Sequence, residues 1–194
     1  MKIILATQNE GKLKEFQQLS KGRSFEFISI PPGLQEMPEE TGKTFKENAL
    51  IKAKFVSEYF QMPALADDSG LEVDALNGEP GIYSARYSSS GSDLDNCKKL
   101  LSKMRGVSKE NRTARFKCCL LGFYEGSSIF AEGVLEGEIA EELKGDKGFG
   151  YDPIFIVPKY SLHLAEIEKE EKNKISHRYK AFKVISKNLF SLIN

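Results

Sequence analysis

The sequence is short of the features that would tie it to an oxidising compartment, a membrane or a nucleic acid. It has only three cysteines, Cys97, Cys118 and Cys119. They are too few and too irregularly spaced for a disulfide framework, and no CxxC pair occurs among them. Cys118 and Cys119 are neighbours in an expected strand, so their side chains face opposite ways, and all three read as buried, reduced thiols. Charge of one sign is not in excess either, since 28 basic and 28 acidic residues balance. No bulk field therefore draws the chain to DNA or to an anionic membrane, although a local basic pocket stays open. Long apolar runs are missing as well. The stretch after Lys2 is shorter than the ~7–15-residue core of a secretory signal, and nothing approaches the ~20 apolar residues of a membrane span. These absences predict a cytoplasmic protein with no membrane and no nucleic-acid partner. There is no internal repeat and no low-complexity linker, and 194 residues suit one domain, 1–194, or one two-lobed domain.

What the chain does have is alternation of element types. Lys2 to Thr7 is a short apolar run, and Asn9 to Ser20 switches to helical spacing with Leu13, Phe16 and Leu19 on one face. Phe25 to Ile30 reads as a strand broken by Pro31-Pro32-Gly33. Phe45, Ala49, Ala53, Val56 and Phe60 form a helical stripe, and Pro63 to Ala66 leads into a buried strand. Leu71, Val73 and Ala75 suggest a half-exposed strand, with turns at Asn77-Gly78 and Pro80-Gly81. Leu94, Cys97, Leu101 and Met104 mark another helix, with Gly106 placed for its C-terminal cap. Two long strands, Thr113 to Tyr124 and Ser128 to Glu138, join at Glu125-Gly126. Tyr151 to Val157 is apolar again, and a last helix is expected from about His177 to Leu192. The order predicts an α/β fold with a mixed β-sheet and flanking helices.

Several segments could carry chemistry, and each has a plainer structural reading. Thr7-Gln8-Asn9-Glu10-Gly11-Lys12 joins a strand to a helix N-terminus, where unpaired backbone N–H groups suit a phosphate. Lys12 stands against the helix dipole there, a conflict that an anion would relieve. The plainer reading is a strand–helix turn capped by Asn9 or Thr7. Glu40-Thr41-Gly42-Lys43-Thr44 invites comparison with a P-loop, but Met37 stands where that motif needs glycine. Thr44 with Glu47 reads better as a capping box. Asn48 and Lys52 share one face of the following helix, most simply a solvated one.

Ala66-Asp67-Asp68-Ser69-Gly70 is the strongest local signal. It reads as two carboxylates ending an apolar strand, where ligands of α/β proteins sit and where Mg²⁺ finds hard oxygen donors. Glu39 and Glu40 could add a further carboxylate, and the alternative is an Asx-type turn. Gly148-Phe149-Gly150-Tyr151-Asp152-Pro153 could stack a nucleobase on its aromatics, or its rings could merely cap the core. Glu170 to Arg178 is a charge run that opens the last helix, with Ser176 as its N-cap and His177 and Arg178 against the dipole. Its plainer reading is a solvated loop. His163 reads as a surface or packing residue.

Taken together and in order, these motifs resemble the inosine triphosphate pyrophosphatase family. The matching segments are Leu5 to Lys12, Glu39 to Ala49, Ala66 to Leu71, Pro80 to Tyr87, Gly148 to Phe155 and Glu171 to Arg178. The resemblance implies a sheet folded into two lobes around a central cleft, and a homodimer. It implies Mg²⁺-dependent hydrolysis of ITP, dITP and XTP to nucleoside monophosphate and pyrophosphate. Thr7, Gln8, Asn9, Glu10, Gly11 and Lys12 would cradle the triphosphate. Glu39 and Asp68 would hold Mg²⁺, and Asp68 would also accept the proton. Ser69 and Lys172 would contact substrate, while Phe149, Gly150, Tyr151 and Asp152 would enclose the base with His177 and Arg178. Lys12, Lys52 and Lys172 are the cations available to neutralise phosphate. A non-catalytic purine nucleotide sensor and a P-loop-like NTPase are the alternatives.

Overall fold

Ile3, Ile4 and Leu5 bury all of their apolar surface and form the first strand, β1 (Lys2–Leu5). The computed structural model describes residues 1–192, so the last two residues of the expected 1–194 domain lie outside the described residues. Helix α1 (Glu10–Ser20) follows, then β2 (Glu26–Ile28), α2 (Phe45–Phe60) and β3 (Ala64–Val73). Helix α3 (Asp93–Lys103) precedes the long strands β4 (Thr113–Tyr124) and β5 (Ser127–Ile139). These are joined by Glu125 and Gly126, both at positive φ (44° and 80°), as a tight two-residue hairpin turn requires. The short strands β6 (Phe155–Val157) and β7 (Leu162–His163) come next, then α4 (Lys169–Ile175) and α5 (His177–Ile185).

The strands make one seven-stranded sheet in the order β2-β1-β3-β4-β5-β6-β7. Strand β1 runs parallel to β2 and β3, whereas β6 runs antiparallel to β5 and β7. The sheet is therefore mixed, as expected. The chain divides into two compact units, one of residues 1–68, 118–133 and 178–192, the other of residues 69–117 and 134–177. Each has its own apolar core. The first buries Phe16, Phe25, Phe27, Leu65, Leu120 and Phe182, with edge-to-face ring pairs such as Phe16–Phe27 at 5.8 Å. The second buries Leu71, Leu100, Met104, Phe116, Ile154 and Phe155.

Several expectations need correcting. First, Ala64 to Val73 is one continuous strand, so Asp67, Asp68, Ser69 and Gly70 lie inside it and not in a turn at its end. Ala75 and Leu76 belong to a short 3-10 turn instead of a further strand. Second, Asn48 and Lys52 are buried (0% and 8% exposed) and not solvated. They flank the stripe of Phe45, Ala49, Ala53 and Val56 and widen the covered face of α2. Third, the final helix stops at Ile185, and Leu189–Leu192 is a 3-10 turn. Fourth, the charge run before it folds as the short helix α4, while Leu94 of α3 is half exposed. His163 is a packing residue, with Nδ1 2.6 Å from the Pro153 carbonyl. All three cysteines are buried free thiols. No described helix is long and apolar enough to cross a membrane.

Candidate active site

In the first unit, the strand–helix turn is capped twice. The Asn9 side chain accepts from the Lys12 backbone N–H (3.0 Å) and Thr7 Oγ1 accepts from that of Asn9 (3.1 Å). Gln8, Asn9, Glu10 and Gly11 stay exposed at the helix start, the end of the dipole that suits an anion. Lys12 does not depend on an added anion to offset its unfavourable place, because its ammonium lies 3.3 Å from the Asp67 carboxylate.

Burying adjacent carboxylates inside a strand is costly unless cations are brought to them, and the fold supplies three. Asp67 accepts from Lys12 of α1 and, at 2.6 Å, from Arg178 Nε of α5. Arg178 also reaches Glu15 through Nη1 (3.4 Å). Asp68 takes Lys52 of α2 at 2.6 Å. The Lys52 ammonium further donates to Glu40 (2.8 Å) and to the Asp67 carbonyl (3.1 Å), so each of its three protons has an acceptor. Burial works against the Lys52 charge, but Asp68 and Glu40 outweigh it and raise its pKa. Burial likewise pushes the Asp68 carboxyl above its ordinary value, against the pull of Lys52. Arg178 is desolvated as well, and Asp67 and Glu15 overcome that and raise its pKa.

Of the two adjacent glutamates, Glu40 is the one that the structure brings to Lys52 and Asp68, whereas Glu39 is exposed. Glu40 and Asp68, which share one ammonium, are hard oxygen donors of the kind that could hold a divalent cation such as Mg²⁺. Among the described residues, no group of three or more His, Cys, Asp or Glu side chains is arranged to hold a metal. The segment once compared with a P-loop has its N–H groups tied down. Gly42 donates to Asn48 Oδ1 (2.8 Å) and Lys43 to Glu47 (2.6 Å), while Thr44 caps α2. A Cβ at Gly42 would stand 2.6 Å from Asn48 Oδ1, so glycine is needed for that closure.

In the second unit, Ser69 continues β3 half-buried, and the loop 148–152 is strapped from several sides. Asp152, buried, accepts from the Phe149 backbone N–H (2.9 Å) and pairs with the Lys172 ammonium of α4. Gly148 has φ 83°, and a Cβ there would run into Asp152 and Lys172. Tyr151 is buried with its hydroxyl on the Ser84 carbonyl (2.8 Å), so it anchors the loop in the core, and burial raises its pKa. Phe149 is 40% exposed, with the Lys172 ammonium 5.2 Å from its ring centroid. His177 is buried and stacked on Phe116, centroids 5.1 Å apart and planes 11° apart.

His177 and Arg178 thus do different things. Arg178, expected beside the base, is buried with Nε on Asp67 and Nη1 on Glu15. Glu15 carried no signal in the sequence beyond its charge. Lys52 could have been found from its place at the edge of an apolar stripe, four residues after another polar residue.

The chain matches the Ham1 family over residues 3–188. It is 48% identical over 189 residues to the dITP/XTP pyrophosphatase of Bacillus subtilis, covering 96% of each chain. It is 50% identical over 187 residues to the dITP/XTP pyrophosphatase of Desulforamulus reducens, covering 94% of this chain and 92% of the relative. A solved HAM1 protein from Coxiella burnetii is similar with a TM-score of 0.88 at 40% identity, covering 98% of this chain and 99% of that one.

Proposed function

The chain belongs to the Ham1 family, and from that premise we propose that it is a nucleoside triphosphate pyrophosphohydrolase acting on non-standard purine nucleotides. Its substrates are ITP, dITP and XTP, and its products are the nucleoside monophosphate and pyrophosphate. The observation that carries this reading is the Lys52 ammonium held by Glu40 and Asp68 beside the Lys12–Asp67 pair. Buried carboxylates and lysines of this density suit a polyanion that arrives with a metal.

The roles divide between the two groups of residues. The α1 turn from Thr7 to Lys12 receives the triphosphate, with Lys12 and Lys52 meeting its charge. Glu40 takes the part that the resemblance gives to Glu39, and with Asp68 it would hold Mg²⁺. When bound, the metal neutralises phosphate charge and polarises the phosphorus under attack. Asp68 accepts a proton from the attacking water, a task helped by burial. Asp67, between Lys12 and Arg178, keeps the lysine oriented.

Phe149 offers its open face to the purine, Gly150 gives the loop its shape, and Asp152 fixes Lys172. Ser69 contacts the substrate beside Asp68. Lys172 and His177 are the donors for the purine six-oxygen. Adenine would set its amino group against such a donor, and a buried donor left unpaired costs about 1–3 kcal/mol. The protein acts in the cytoplasm as a homodimer, without a nucleic-acid or membrane partner.

The test is product identification. Purified protein with Mg²⁺ and dITP, ITP or XTP releases pyrophosphate and monophosphate, resolved by ion-exchange chromatography or phosphorus NMR. Release of orthophosphate and diphosphate would overturn the reaction assigned here. Absence of turnover with tight nucleotide binding would leave a sensor. Light scattering on the same preparation checks the dimer.

A further inference from the structure

Helix α3 contributes nothing to the reading above, yet it holds the base loop by both polar groups of one residue. The Gly150 backbone N–H donates to Asp93 Oδ2 at 2.7 Å, and the Gly150 carbonyl accepts from Cys97 Sγ at 3.3 Å. Asp93 and Cys97 are four residues apart on α3, so both fall on one face of the helix. The helix is itself firmly seated. Ser92 caps it by accepting from the Asp95 N–H (3.2 Å), and Asn96, Cys97 and Leu100 are buried.

From this geometry we propose that Asp93 and Cys97 are positioning residues for purine recognition, fixing the Gly150 peptide and through it the open face of Phe149. Gly150 has φ 62°, a conformation that glycine adopts at little cost but also leaves readily. Its peptide therefore needs outside partners to stay in one orientation. Asp152 secures the loop at Phe149 and Tyr151 secures it on Ser84, but both act on neighbours of Gly150. The α3 pair supplies what they do not. Asp93 brings a charged acceptor to the N–H, and Cys97 a weak donor to the carbonyl. The thiol keeps its proton for this purpose, because burial pushes it up to about 12. A pocket of about 230 Å³ lined by Asp93, Leu94, Cys97, Phe149 and Gly150 leaves the loop room to shift once the clamp is lost.

The inference rests on the assignment of Phe149–Asp152 to the base, and its test separates the two. Full-length Asp93→Ala, Asp93→Asn, Cys97→Ala and Cys97→Ser are compared with Phe149→Ala for kcat and KM on dITP and dATP, with Tm recorded for each. Asp93→Ala is expected to raise KM for dITP about three- to tenfold, with kcat and Tm nearly unchanged, the range set by one hydrogen bond. Asp93→Asn, which keeps an acceptor, recovers most of the loss. Cys97→Ala gives a smaller rise of about two- to threefold, and Cys97→Ser, which keeps a donor, reverses it. Should Cys97→Ala prove unstable, the exposed position 93 carries the test alone. An unchanged KM in Asp93→Ala, or an effect on kcat only, overturns the clamp while Phe149→Ala still raises KM. An unchanged KM in Phe149→Ala overturns the base-loop assignment beneath it.

Discussion

The two units solve the same problem, holding polar groups in place inside a fold, by opposite means. The first does it with full charges: Asp67, Asp68, Glu40 and Glu15 against Lys12, Lys52 and Arg178. The second adds to the Asp152–Lys172 pair a set of backbone clamps: Phe149 N–H on Asp152, Gly150 on α3, and the Tyr151 hydroxyl on the Ser84 carbonyl. Its buried arginine makes the contrast plain. Arg112 donates to the carbonyls of Ile139 (2.6 Å), Ala140 (2.6 Å), Met104 (3.0 Å) and Val107 (3.3 Å). Arg178 in the first unit is matched to carboxylates. Ion pairs in a low dielectric are strong and sensitive to loss of one partner. Backbone clamps are individually modest but fix shape. A polyanion with its metal calls for the former, and discrimination between similar neutral rings calls for the latter.

The sharpest way to break this division is Asp68→Asn. It keeps the shape of the side chain and removes the negative charge, so turnover of dITP should fall about 10²–10⁴-fold. Tm should fall, but by less than in Arg178→Met, because Lys52 keeps Glu40 and the Asp67 carbonyl as acceptors. Near wild-type turnover at saturating Mg²⁺ would reduce Asp68 to a structural partner of Lys52.

Next in size is Arg178→Met, which removes from buried Asp67 its 2.6 Å guanidinium partner and keeps the Lys12 pair. Breaking a buried pair from one side costs about 3–5 kcal/mol, and chemical denaturation should show a loss at or below the lower end of that range. Turnover of ITP and ATP should fall together, because the damage passes through Asp67 and Lys12. A loss confined to ITP would instead place a guanidinium nitrogen on the purine oxygen.

Phe149→Ala probes the other region. It should leave Tm almost unchanged, since the ring is 40% exposed, and should lower kcat/KM for ITP and ATP alike by about tenfold, because stacking does not depend on which base is stacked. A loss confined to ITP would mean that the ring takes part in choosing between the bases.

The smallest effect treats the two regions alike. Burial pushes Cys97 in the second unit and Cys119 in the first up to about 12. The raised folded value means that the thiols contribute fully below their unfolded pKa and that this contribution is lost as pH rises from there towards 12. At pH 10 the loss should be about 1–2 kcal/mol per thiol relative to pH 7. Denaturation at the two pH values should show it, and a Cys97→Ala/Cys119→Ala variant should not.

Much of the fold could be read along the chain because it rests on local signals. The stripe of Phe45, Ala49, Ala53 and Val56, the Thr44 N-cap on the Glu47 N–H, and the Glu125-Gly126 turn are all set by neighbouring residues. The errors cluster where the long range decides. Asp67-Asp68-Ser69-Gly70 looks like a turn by propensity, yet it is strand, because cations from α1, α2 and α5 meet its carboxylates. Lys52 looked solvated because the side chains that cover it come from distant parts of the chain.

Composition, hydrophobic period and motif order were enough to determine an α/β chain, the starts of α1, α2 and α5, and the residue types able to meet a nucleotide. Tertiary structure alone decided which of them act together: Glu40 and not Glu39 on Lys52, Arg178 on Asp67, and α3 on Gly150. The reason is that period and capping are properties of a few consecutive residues. A buried charge or a bent peptide is tolerated only when partners far away in the chain arrive within hydrogen-bond distance, and no local pattern records that arrival.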